Sequence, residues 1–228
     1  MEKTNVGRWI GALVLLQLVL GIYVNFALTA PLYGEPGFAV NGAKVANHIG
    51  ASVLLAVFGS LVSLTVANLA YGTFKAHNPV LARGYMMLVC ISVTLVLVEN
   101  INTMALVSFS QTLAQADPTS QSTIQALPSL FAAYRNWAHY IGLIMSGLML
   151  LAFYLVLFRY RLIPMLLAGF GILAVLSQLS SVSRPLFGLK VDFMLIAPLA
   201  LSQLLLGLWL IFKGFNSHQE TAVSPAKV

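Results

Sequence analysis

Six apolar runs decide what this chain can fold into: residues 9–30, 46–71, 82–108, 133–158, 162–182 and 192–212. Each reaches the roughly 20 helical residues that cross a hydrocarbon core. Lipid offers a backbone no hydrogen bonds, so a chain built of such runs must pair every amide within its own segment, as helices do. The expected fold is therefore all-α, a polytopic membrane protein with six transmembrane helices. Composition agrees: 59% of residues are hydrophobic and 8% charged, against about 25% charged in soluble domains.

The connectors carry helix breakers: PLYGEPG at 31–37, GTFKAHNP at 72–79, QADPTSQST at 115–123, RYRLIP at 159–164 and SRPLFGLK at 183–190. None is long enough to form a second domain. The expected organisation is one transmembrane domain, residues 1–213, followed by a polar, disordered cytoplasmic tail at 214–228. Lys3 and Arg8 ahead of the first run resemble the start of a secretion signal, but the length of that run and the five spans after it favour an uncleaved helix.

The net charge of +6 comes from twelve Lys and Arg scattered singly at the ends of apolar runs. They form no patch or stripe of the kind nucleic acid requires, which excludes that partner. Lys3, Arg8, Lys75, Arg83, Arg159, Arg161, Lys213 and Lys227 fall on one side of a six-span arrangement, and Lys44, Arg135, Arg184 and Lys190 on the other. The cation-rich side is the cytoplasmic one. Both termini are then inside, with loops 31–45 and 109–132 outside. The one cysteine, Cys90, lies inside a run, so there is no disulfide framework and no Cys-based metal motif.

Against this background the stretch LVLVENINTM at 95–104 stands out, with a carboxylate and two amides in an otherwise apolar run. An ionisable group inside a span costs at least about 2.5 kcal/mol and is by default a functional hypothesis. Its partners are sought at the same depth. Glu99 lies sixteen positions beyond Arg83, Asn25 seventeen beyond Arg8, Gln178 seventeen beyond Arg161, and His139 twenty short of Arg159. At about 1.5 Å per residue all four fall in the outer third of the bilayer. Asn47, His48, Asn136 and Ser181 belong to the same level, while the inner half holds mainly Asn68, Cys90 and Gln203. Spacings of three or four residues put Glu99 with Asn102 and Thr103, Asn136 with His139, Gln178 with Ser181, and His48 with Ser52 on shared helix faces. The candidate site is an outward-opening polar pocket of Asn25, His48, Glu99, Asn102, Asn136, His139, Gln178 and Ser181. Glu99 is expected to contact polar side chains from at least two other helices, His139 or Asn25 among them.

Competing readings share these residues. Amides and hydroxyls commonly bridge transmembrane helices with no ligand involved. His48, Glu99 and His139 make a two-histidine, one-carboxylate set that suits a divalent metal such as iron or zinc. His48 and His139 alternatively suit the axial positions of a haem b. No HExxH, CxxCH, GxGxxG, Walker-type loop or GxSxG elbow supports a particular enzyme. His48 and His139 are expected to line one pocket without ligating a shared metal.

The block YRNWAHYIGLIMSGLMLLAFYLVLFRYRLIPMLLAGFGILAVLSQL, with APLALSQLLLGLWLIFKG near the end and RWIGALVLLQLVLGIY near the start, resembles a bacterial family of six-helix integral membrane proteins catalogued only as a domain of unknown function. The resemblance implies a bacterial inner-membrane protein with no established catalytic residues, and it transfers no site. The expected partners are the lipid bilayer and a small-molecule or ion ligand. A homo-oligomer or a structural role within a larger membrane complex are the further readings.

Overall fold

The structure, a computed structural model, describes residues 3–35, 37–115 and 127–216. Six helices are long and apolar enough to cross a membrane: Asn5–Tyr33, Ala46–His77, Pro79–Gln115, Ser129–Arg159, Met165–Phe187 and Phe193–Lys213. Among the described residues there is no strand. In chain order the elements are α1 (Lys3–Tyr23), a π-helical turn (Val24–Leu28), α2 (Ala30–Tyr33), α3 (Phe38–Lys44), α4 (Ala46–His77), α5 (Pro79–Gln115), α6 (Leu127–Arg159), α7 (Met165–Ser183) and α8 (Ala197–Lys213). Two 3₁₀ turns, Arg184–Phe187 and Phe193–Leu195, join α7 to α8.

The breakers act locally, and the helices run further than the apolar pattern alone indicates. Between α4 and α5 only Asn78 is non-helical, since Pro79 lacks an N–H and sits at the first helical position. The Asn78 side-chain oxygen accepts from the Val80 and Leu81 amides at 2.9 and 3.0 Å, capping the new helix. At the other end of α6, Arg161 takes a left-handed backbone (φ 51°) and turns the chain into α7.

Around the bundle the long helices pack in sequence order, α1 on α4, α4 on α5, α5 on α6, α6 on α7 and α7 on α8, and α8 closes onto α1. The last contact is backbone-close, because a Cβ on Gly11 would stand 2.7 Å from the Gly207 carbonyl oxygen. Exposed Phe26, Leu166 and Phe212 belong to the apolar outer surface, as expected of a bundle whose solvent is lipid.

The ring is filled unevenly. The end that carries both termini is dense: Phe74, Tyr85, Phe153 and Tyr154 are buried together, with three of their ring pairs at 5.5 Å. The Tyr154 hydroxyl meets Ser202 Oγ at 3.2 Å. Residues 214–216 belong to this end, not to a free tail. Phe215 is buried, and Asn216 bonds through its amide to the Leu162 carbonyl at 2.8 Å and through its side chain to the Arg161 carbonyl at 2.9 Å. Residues 217–228, where the rest of the expected tail falls, lie outside the described residues.

The far end is held by smaller devices. Leu32, Ile49 and Val107 form a buried apolar cluster. Ser110 of α5 clamps α3, donating to the Ala39 carbonyl at 2.7 Å and accepting from the Ala43 amide at 2.8 Å. Between the two packed regions the ring is open inside.

Candidate functional site

The opening is a cavity of about 300 Å³ bounded by the α1 segment, α4, α5 and α6. Small residues create it. On the inner face of α4, Ser52, Ala56, Gly59, Ser60 and Ser63 recur at three- and four-residue steps, so no large side chain fills the centre at that level. A much smaller void of about 40 Å³ adjoins it toward the dense end, sharing Gln17 and Ser63 and reaching Tyr85, Tyr154 and Gln203.

Glu99 stands on the cavity wall, and its Oε1 carries two charge-assisted contacts. Arg135 donates through Nη2 at 3.0 Å, and His139 Nδ1 lies at 2.9 Å. The side chains of Arg135, Glu99 and His139 are 14%, 18% and 28% exposed, so all three are largely removed from solvent. The Arg135 guanidinium also sits over the Tyr33 ring, 5.0 Å from its centroid, a cation–π contact that ties α6 to α2. Its Nη1 donates to the neighbouring Asn136 at 3.4 Å, and its Nε is buried without a partner. Both direct partners of Glu99 therefore come from one helix, not two. Arg135 and His139 are four residues apart on the face of α6 that packs against α5.

The other candidate residues divide. Asn25 lines the cavity with Glu99 and His139, its side-chain nitrogen held by the Gly21 carbonyl at 2.8 Å. Asn102 is half-buried on α5 and Asn136 is exposed on α6, both outside the cavity wall. His48 is exposed, and so is Asn47. In the first turn of α4 the inward position belongs to Ile49, and one residue away is about 100° around the helix. Gln178 and Ser181 are buried on α7, which does not line the cavity. Ser181 instead holds the α7–α8 connection, donating to the Asp192 carbonyl at 2.7 Å and accepting from its amide at 2.9 Å. Gln178 keeps a buried Oε1 without a partner among the described residues.

The haem and metal readings both required His48 to converge with His139. The structure does not bring them to one cavity. Among the described residues no three His, Cys, Asp or Glu side chains gather as a metal site.

Beyond the candidate set, Gln17, Gly21, Thr29, Tyr33, Ser92, Asn100 and Arg135 also line the wall, and a sequence signal existed for most. Gln17, Gly21, Asn25, Thr29 and Tyr33 all line the cavity and fall at four-residue steps. Each such step overshoots a helical turn by about 40°. The π turn at Val24–Leu28, wider than an α turn, takes up part of that drift and keeps the stripe facing inward. On α5, Ser92, Asn100 and Thr103 join Glu99 on the wall. Arg135 was readable from its i,i+4 relation to His139.

Fold and apolar surface together define a multi-pass α-helical membrane protein, with an ionised-type cluster against an internal cavity. The chain matches the family described as a domain of unknown function (DUF4386) over residues 9–214, and belongs to it. No curated protein and no solved structure matches the chain.

Proposed function

We propose that this is a protein of the bacterial cytoplasmic membrane, with both termini inside the cell, that binds or moves a small molecule or ion in the cavity between α1, α4, α5 and α6. In this reading the cavity opens to the outer face, since the dense, terminus-bearing end is the cation-rich one. One observation carries the reading: a carboxylate inside a span, on the wall of a cavity, with its charge compensated on one oxygen only. A purely structural carboxylate is better satisfied by closing the space around it. Here the space is kept open by small residues. A volume of about 300 Å³ is at the lower end for ligand pockets and corresponds to about ten waters.

Single cysteines placed in a Cys90→Ser background test this reading with a membrane-impermeant thiol reagent. Cysteines at Thr29 and Asn100 are expected to react from the outside of intact cells, and one at Leu206, buried in the dense end, to stay unmodified. Reaction at the first two positions only in inverted vesicles would reverse the direction of opening. No reaction from either side would remove the solute-binding reading.

A further inference from the structure

We infer that the cavity takes an organic cation bearing a protonated amine, with the ammonium seated at Glu99. This rests on the reading above that the cavity holds a small solute, and adds the chemical class of that solute. The protons on the cavity wall are largely spent within the protein. A hydroxyl carries one proton and two lone pairs, so once the proton is spent it can only accept. Ser52, Ser60 and Ser63 donate to the Ile49, Ala56 and Gly59 carbonyls of their own helix at 2.8, 2.9 and 3.2 Å. Thr103 does the same to the Glu99 carbonyl at 2.9 Å. The amides follow suit: the Asn25 and Asn100 nitrogens donate to Gly21 and Val96 at 2.8 and 2.7 Å. The Asn25 and Asn100 side-chain oxygens have no donor among the described residues, and Ser63 Oγ, which accepts from Gln17 Nε2 at 2.5 Å, keeps one lone pair.

The charged cluster is biased the same way. Glu99 takes both of its contacts on Oε1, leaving Oε2 with no donor among the described residues. Arg135, the guanidinium among the wall residues, spends one Nη2 proton on Glu99 and one Nη1 proton on a long contact with Asn136, keeps its Nε buried and its face over Tyr33, and so retains one proton on each Nη beside the Glu99 carboxylate. An anion would meet lone pairs along α4 and α5 and would reach the remaining Arg135 protons only against the adjoining Glu99 carboxylate. An ammonium needs only the open carboxylate oxygen and the acceptors beside it. The hydroxyls of Ser92 and Tyr33, with no hydrogen bond among the described residues, serve either polarity. The cavity volume of about 300 Å³ admits about ten non-hydrogen atoms, at about 30 Å³ for each water-sized group.

Three probes of one shape separate the possibilities: benzylammonium, benzyl alcohol and benzoate, titrated by ligand-detected NMR onto the full chain in lipid nanodiscs. A Gly59→Phe variant serves as the blank, because a side chain at Gly59 enters open space. Benzylammonium is expected to saturate and to bind about tenfold more tightly than benzyl alcohol, as one charge-assisted hydrogen bond provides. Benzoate is expected to show no saturable binding. Glu99→Gln should remove that tenfold preference. Should it fail to fold by stranding Arg135, Asn100→Leu, which touches no charge, is expected to weaken benzylammonium selectively. Benzoate binding more tightly than benzylammonium would overturn the inference and leave the cavity reading standing. Equal binding of all three to the wild type and to Gly59→Phe would overturn both.

Discussion

Glu99 concentrates its two contacts on a single oxygen, which makes it the residue whose replacement has the widest consequences. Removing it strands the Arg135 guanidinium in a largely buried position with only a long contact to Asn136 and the Tyr33 ring. Breaking one side of a buried pair costs more than removing both. In a double-mutant cycle of Glu99→Gln and Arg135→Met, unfolding in detergent is expected to show a coupling of about 0.5–3 kcal/mol. A coupling indistinguishable from zero would place the pair with solvent-screened surface bridges. Of this cluster, Glu99 and His139 were legible by depth counting from the helix ends. Depth does not single out Arg135, since a cation near the end of a span also sets topology; its four-residue spacing from His139 does. His48 was placed by depth alone, and depth says nothing about rotation around the helix.

At the scale of elements, glycine does two opposite things. Gly11 and Gly207 let α1 and α8 touch backbone to backbone: a Cβ on Gly11 would lie 2.7 Å from the Gly207 carbonyl oxygen and 2.8 Å from the Ile211 amide nitrogen. Neither atom can move aside as a side-chain end can. Gly11→Ala is therefore expected to destabilise by about 1–3 kcal/mol, the usual range for overpacking. Gly59 faces the cavity with nothing within 4 Å. Gly59→Ala should leave stability unchanged or raise it by up to about 1 kcal/mol through helix propensity. Melting temperatures of the two variants in one detergent decide the matter, and an equal loss in both would contradict the packing described for α1 and α8. The existence of these helices was plain from hydropathy. The π turn was not, since it reconciles a four-residue polar stripe with a helix of 3.6 residues per turn.

For the whole molecule, six spans packed in sequence order put both termini at one end of the bundle. The cation bias then predicts which end is cytoplasmic. A fluorescent protein fused at the C-terminus is expected to fluoresce, and a phosphatase placed in the connection between α5 and α6 to be active. A phosphatase active at the C-terminus would invert the proposed orientation and, with it, the side on which the cavity opens. In the proposed reading, with one end of the bundle dense and its middle open, a solute reaching Glu99 enters from the far end, past Thr29 and Tyr33.

The number of spans and their helical nature were determined by the sequence, because both depend on local quantities, apolar length and backbone pairing along one segment, and the hydropathic pattern of those spans carried the family. Partners depended on the tertiary structure. Which side chains met was decided by how each helix is rotated and which helices are neighbours. That is why Ser181 became a loop clamp, His48 fell on the exposed face of α4, and Arg135 came to share an oxygen of Glu99 with His139. In lipid, helices of nearly uniform apolarity differ little in energy as they rotate. Close glycine contacts and a few polar groups select one arrangement, and these are the features whose effect depends on what stands opposite.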